Sequence, residues 1–497
     1  METASPTPLR IQTIIPAPML AILLAALDQT IVAVSLPAIS AQLQDVGLLA
    51  WVISGYLVAM TVSMPLYGKF GDLYGRQRMM YLALGIFTLA SIPCALAQSM
   101  EQLVVARVIQ GIGAGGLMAI SQAIIGDVVP PRERGRYQGY VSSMYALASI
   151  AGPVLGGLLT QYLSWHWIFW INLPLGLAGL LISRRVLGGL PIPGRRAVID
   201  YPGIVLLVTG LTATLLAITW LGEGIEATSR RIAWTALVAV VALAAFALHE
   251  RRASEPLLPL RLFGSLTATL CCLLNFFTNF QAIALSLLLP LWYQSVAGLD
   301  ANQAAMRLIP FALGMPIGAY SCGRLTARLG RYKPQILAGT LLMPLTLLGI
   351  AQADPHDMWL SAVSLLGAGI AAGMQFPTAL VAAQNAVPQR DIGVISSTVS
   401  LFRSLGGAVG VAVMSALLLL LLPNLSGQGG SAENALLHYL QSTQGTADPG
   451  TRKLIEQTFR QLFEIAAGLS LVALACAIVL PELALRGHEN AETRRAR

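Results

Sequence analysis

The chain has 497 residues, of which 56% are hydrophobic and 11% charged, and its mean hydropathy is +0.69. About a quarter of the residues in a soluble domain are charged, so this composition excludes a water-facing globular surface and makes the bilayer the main solvent. The net charge of +8 falls in short arginine clusters between apolar runs, the arrangement of topology-setting loops rather than of a nucleic-acid patch. Lys69, Lys333 and Lys453 precede Phe70, Pro334 and Leu454, so the Gly-Lys-Ser/Thr of a P-loop is absent and ATP hydrolysis by that route is excluded. Cys94, Cys271, Cys272, Cys322 and Cys476 sit in apolar runs as small hydrophobes, not as a disulfide or metal framework.

About fourteen stretches are long and apolar enough to span a bilayer as helices. The first, Ile15 to Ile39, is longer than a signal-peptide core and is expected to be retained. It carries Asp28 near its middle; a carboxylate at that depth is costly against lipid, so it should face the bundle interior and meet a cation. The second span, Trp51 to Tyr67, and the third, Met79 to Ala97, flank the run Gly68 to Arg78, which reads as a tight turn. Its glycines, Gly68 and Gly75 among them, allow close packing, while Asp72 is placed to meet a helix N-terminus or an arginine across a boundary, beside Arg76 and Arg78. The fourth span, Leu103 to Ile125, holds Arg107 and Gln110, and Asp28 with Arg107 is predicted to form a switchable pair. On the fifth, Tyr140 to Leu163, Ala148, Gly152, Gly156 and Gly157 give a small-residue face and Pro153 removes one backbone hydrogen bond, a pattern read as a hinge. The sixth is Trp167 to Val186, and the next two run from Tyr201 to Leu221 and Ile232 to Leu248. The remaining six are Leu266 to Tyr293, Ala304 to Leu325, Pro334 to Ala351, Met358 to Ala383, Gly393 to Leu422 and Phe463 to Leu483.

An internal repeat organises these spans. Val129-Pro130-Pro131-Arg132-Glu133-Arg134-Gly135 matches Val387-Pro388-Gln389-Arg390-Asp391-Ile392-Gly393, and Ala148 and Gly152 map onto Gly406 and Gly410 at the same offset. Gly68, Gly75 and Arg76 likewise reappear as Gly323, Gly330 and Arg331, with Ala327 in the place of Asp72. Two homologous halves follow, an arrangement common among secondary transporters, and the helices from Tyr201 to Leu248 match neither. With cytoplasmic termini, the basic clusters from Lys69 to Arg497 fall on one side, Arg230 and Arg231 being the main exceptions. The opposite loops hold Asp45, Glu101, Glu223, Glu226, Asp300, Asp354 and Asp357. An apolar cavity carrying aromatic and amide groups suits lipophilic ligands; the residues nominated for it are Tyr56, Gln110, Tyr145, Asn275, Phe276, Asn279 and Gln375.

These motifs resemble those of the major facilitator superfamily. Gly68 to Arg78 is similar to its signature turn, Arg107 with Gln110 and Gly111 to its fourth-helix arginine motif, and Gly152-Pro153-Val154-Leu155-Gly156-Gly157 to its antiporter motif. Leu27 to Pro37 and Trp167 to Gly176 narrow the resemblance to the fourteen-helix drug:proton antiporters, with Ala33 where an Asn is usual and His166 where an Arg often stands. The resemblance implies an all-α membrane protein working by alternating access, driven by a proton gradient with no cofactor. It implies a cytoplasmic N-terminus at 1–14, a six-helix bundle at 15–190, two inserted helices at 200–249, a second bundle at 265–485 with a long outer loop at 423–461, and a cytoplasmic tail at 486–497. It also implies export of lipophilic, often cationic compounds from the cytoplasmic membrane, and in double-membraned bacteria the branch sometimes works with a periplasmic adaptor and an outer-membrane channel. A narrower exporter of one metabolite, such as an antibiotic, siderophore or amino-acid derivative, fits the same residues.

Overall fold

A computed structural model describes residues 11–43, 48–188, 200–223, 225–253, 256–299, 301–354, 358–421 and 449–485. Most of the predicted outer loop at 423–461 and the two predicted cytoplasmic tails fall largely outside these residues. In hydrocarbon every backbone N–H and C=O needs a partner, and helices supply one within the segment. Fourteen long helices form: α1 Pro16–Leu43, α2 Leu49–Tyr74, α3 Arg76–Ala95, α4 Met100–Val128, α5 Pro131–Tyr162, α6 Asn172–Val186, α7 Tyr201–Glu223, α8 Ile225–Glu250, α9 Leu266–Ser295, α10 Ile309–Leu329, α11 Lys333–Gln352, α12 Met358–Asn385, α13 Ile392–Leu421 and α14 Pro449–Val479. Thirteen helices of the described chain are long and apolar enough to cross a membrane; α10 is 21 residues long, but Gly314, Pro316, Gly318 and Arg324 dilute its apolar character. The protein is a multi-pass, helical membrane protein.

Several helices extend past their predicted ends: α5 starts at Pro131 rather than Tyr140 and α8 at Ile225 rather than Ile232. The tight turn predicted over Gly68 to Arg78 is shorter than expected: α2 stays helical to Tyr74 and the chain reverses on Gly75 alone, at φ 94, a region that favours glycine. The last helix starts at Pro449 rather than at Phe463, because its amphipathic first turns carry Lys453, Glu456 and Arg460 and so lack the apolar run that marks a span.

The packing repeats as the sequence does. α1 lies against α4, α5 and α6, α2 against α4, and α3 against α4 and α6; α9 lies in the same way against α12, α13 and α14, α10 against α12, and α11 against α12 and α14. α7 packs on both α2 and α13 along the seam between these two sets, and α8 packs on α7. Leu89, Val105, Val240 and Trp359 are exposed on the outside of the bundle, where lipid solvates them.

Candidate functional site

Asp28 lies twelve residues into α1, about 18 Å from its start, and has no exposed surface. Three N–H donors hold its carboxylate. Arg107 of α4 donates from Nη1 to Oδ2 at 2.6 Å. On the other oxygen, Oδ1 accepts from Gln110 Nε2 at 3.0 Å and from Asn172 Nδ2, at the start of α6, at 2.7 Å. An acceptor-only set of contacts of this kind matches an ionised carboxylate. Ser91 of α3 ties the two amides together, accepting from Gln110 Nε2 at 2.8 Å and Asn172 Nδ2 at 3.4 Å while donating to Phe87 O at 2.9 Å.

Arg107 is also held by groups other than Asp28. Its Nε donates to Val52 O at 3.3 Å and its Nη1 to Gln110 Oε1 at 2.7 Å. The guanidinium stands 4.0 Å from the centre of the Tyr56 ring and 5.8 Å from that of Phe169, and each ring face favours a cation. Tyr56 reaches this place because α2 and α4 nearly touch: a Cβ at Gly111 would fall 3.1 Å from the Tyr56 Cα. Asn172 Oδ1 is buried and accepts no hydrogen bond among the described residues, a spare acceptor beside the carboxylate.

A second cluster lies at the arginine-rich helix ends. Arg76 donates from Nε to Asp127 Oδ2 at 2.8 Å, from Nη2 to Asp72 Oδ1, and from Nη1 to Gly68 O at 3.4 Å. The remaining Asp72 oxygen accepts from Val394 N at 3.1 Å, in the first turn of α13, so the cluster closes onto the other half of the chain. A helix N-terminus with unpaired N–H groups favours such a carboxylate. Beside it, a Cβ on Gly68 would run into the Ser397 side chain and come within 2.9 Å of Gly393 O. At the repeat-related place a Cβ on Gly135 would lie 2.7 Å from Gly323 Cα. Arg78 is exposed at the start of α3 and stands apart from the cluster.

Gly152 and Gly156 seat α5 against α1, since Cβ atoms there would strike Thr30 and come within 2.9 Å of Ile31 O; Gly157 faces open space. α5 remains helical through Pro153, which is exposed, and Gly152 and Gly156 make this stretch a packing seam against α1.

The nominated cavity residues divide. Tyr56 and Gln110 belong to the Asp28 cluster. Asn275 turns back onto Cys271 O at 3.0 Å, and Gln375 accepts from Thr278 Oγ1 at 2.7 Å and donates to Gly339 O at 3.0 Å, so both are buried in helix packing. Tyr145, Phe276 and Asn279 are only partly buried. Arg403 joins them: its Nη2 donates to Tyr145 Oη at 3.1 Å. Reading the sequence missed this residue, although a cation eleven residues inside α13 is the same signal that marked Arg107.

The Major Facilitator Superfamily profile matches residues 19–411. The chain belongs to the major facilitator superfamily. Members of this superfamily are transporters rather than enzymes, and this chain is a transporter of that kind. It is 35% identical over 98% of its length to an MFS-type transporter of Mycobacterium tuberculosis, covering 72% of that protein. It is 32% identical over 88% of its length to Multidrug resistance protein 3 of Bacillus subtilis, covering 86% of it. Its fold is similar to that of the proton:xylose symporter XylE, with a TM-score of 0.61 at 15% identity, over 97% of this chain and 98% of that one.

Proposed function

We propose that this major facilitator transporter exports lipophilic, amphipathic compounds across the cytoplasmic membrane in exchange for protons, with Asp28 and Arg107 as the coupling element. The buried ion pair carries this reading. Oδ2 of Asp28 is held by Arg107 alone, whereas Oδ1 already takes two amide donors, so an arriving proton goes to Oδ2 and displaces the guanidinium. Arg107 then keeps Val52 O, Gln110 Oε1 and the Tyr56 ring, which gives the pair two satisfied arrangements instead of one.

Placing the arginine-rich ends in the cytoplasm follows the distribution of basic residues between loops. The clustered contacts of Gly68 with Gly393 and Gly135 with Gly323 then close the cytoplasmic side, and alternating access leaves the opposite side as the one from which the cavity is reached. Protons enter from outside, load Asp28, free the pair and favour the opposite opening. Export of several unrelated compounds draws support from the relative named a multidrug resistance protein. The test is uptake of a panel of lipophilic dyes by proteoliposomes with and without an imposed pH gradient. Uptake of several dyes that stops when an uncoupler collapses the gradient is the expected result; gradient-independent uptake would contradict proton exchange, and movement of one chemical class alone would contradict broad export.

A further inference from the structure

We propose that Arg403 is the charge-selecting residue of the substrate cavity and that it binds a carboxylate or similar anionic group on an otherwise lipophilic compound. This rests on the export reading above and adds the charge of the cargo.

The first support is the inventory of charges at mid-depth. Asp28 is fully buried and committed to Arg107, Gln110 and Asn172, so a cationic ligand meets no free carboxylate there. Arg403 lies eleven residues into α13, about 16 Å from the arginine-rich end, beyond the reach of a side chain that escapes to the interface. It is only half-buried, and no carboxylate among the described residues pairs with it.

The second support is how Arg403 is held. Its guanidinium stands 5.5 Å from the centre of the Tyr145 ring and 5.9 Å from that of Phe376. These rings orient the cation without cancelling its charge. One N–H goes to Tyr145 Oη, whose own proton goes to Met118 Sδ at 3.1 Å. Among the described residues four of the five guanidinium donors are therefore left, in a fork that fits the two oxygens of a carboxylate. The backbone is fixed as well, since Asn279 Nδ2 donates to Arg403 O at 2.8 Å. An unpaired cation at this depth is expensive, and a bound anion removes that cost. Met118 follows Arg107 by three turns of α4, about 16 Å, so the ligand's charge and the coupling proton occupy separate places.

The test compares binding of 1-pyrenebutyrate and 1-pyrenebutylamine, one lipophile with opposite charges, to the purified full-length protein in nanodiscs, read by energy transfer from tryptophan. The wild type is expected to bind the butyrate roughly tenfold to a hundredfold tighter, the yield of a charge-assisted bidentate contact. Arg403→Gln should remove that preference by weakening the butyrate and relieving the repulsion of the amine, so that amine binding is no weaker than in the wild type, while Arg403→Lys, a cation without the fork, should keep part of the preference. Preference for the amine, no butyrate binding by the wild type, or equal weakening of both probes by Arg403→Gln would overturn the assignment. Asp28→Asn separates the two readings, because it should abolish gradient-driven uptake and leave the charge preference intact. A retained preference without any proton-driven transport in the wild type would sink the export reading alone.

Discussion

At the scale of single residues, the Asp28–Arg107 pair has no water to fall back on. Removing one partner strands a buried charge, and breaking such a pair costs about 3 to 5 kcal/mol. Arg107→Ala should therefore lower the thermal unfolding midpoint sharply, and Asp28→Leu combined with Arg107→Leu should recover most of the loss because neither charge remains. A single variant as stable as the wild type would contradict the pairing. Asp28→Asn is milder, since Gln110 Oε1, Val52 O and the Tyr56 ring still satisfy the guanidinium. Asp28 and Arg107 were legible in the sequence because a charge within an apolar run is a local signal. Ser91, which ties their amide partners together, and Phe169 beside the guanidinium were not, because small polar and aromatic residues in such a run look like ordinary packing until the fold brings the helices together. Arg403 carried the local signal, but its Tyr145 and Phe376 platform comes from two other helices.

At the scale of helices, closure of the arginine-rich end rests on two glycine crossings related by the internal repeat, Gly68 at Gly393 and Gly135 at Gly323. Gly68→Val would overfill the first crossing, and overpacking costs about 1 to 3 kcal/mol, which lowers the ratio of closed to open molecules by about fivefold to 150-fold. Spin labels at the ends of α2 and α13 should then report a longer distance by double electron–electron resonance; an unchanged distance would show that the crossing does not set closure. The charges at the two crossings differ. Asp72 accepts from Val394 N at one, with Arg76 donating to both Asp72 and Asp127 behind it, whereas Ala327, Arg331 and Asn385 stand at the equivalent places in the other. Asp72→Asn should therefore lengthen the same distance, while Ala327→Asn should leave it unchanged. The repeat was readable from the sequence, but that its two motifs meet across the halves was not, because pairing of distant segments is a tertiary property. The glycines of Gly68 to Arg78 read as a turn for a related reason: the same residue serves reversals in water and close helix approach in a membrane.

At the scale of the molecule, the apolar exterior and the repeated packing describe a transporter of two similar halves, and the proposed export cycle adds that the basic loops face the cytoplasm. The topology is checked with Arg78→Cys and Glu101→Cys, which an impermeant maleimide should label from opposite faces of oriented vesicles; labelling from one face would refute the assigned orientation. The most direct test of the whole account separates proton coupling from cargo movement in proteoliposomes. Wild-type protein should both accumulate a transported dye against its gradient when a pH gradient is imposed and exchange labelled for unlabelled dye without one. Asp28→Asn should keep the exchange and lose the accumulation. Accumulation that survives in Asp28→Asn would place the coupling proton elsewhere and contradict the role given to the Asp28–Arg107 pair.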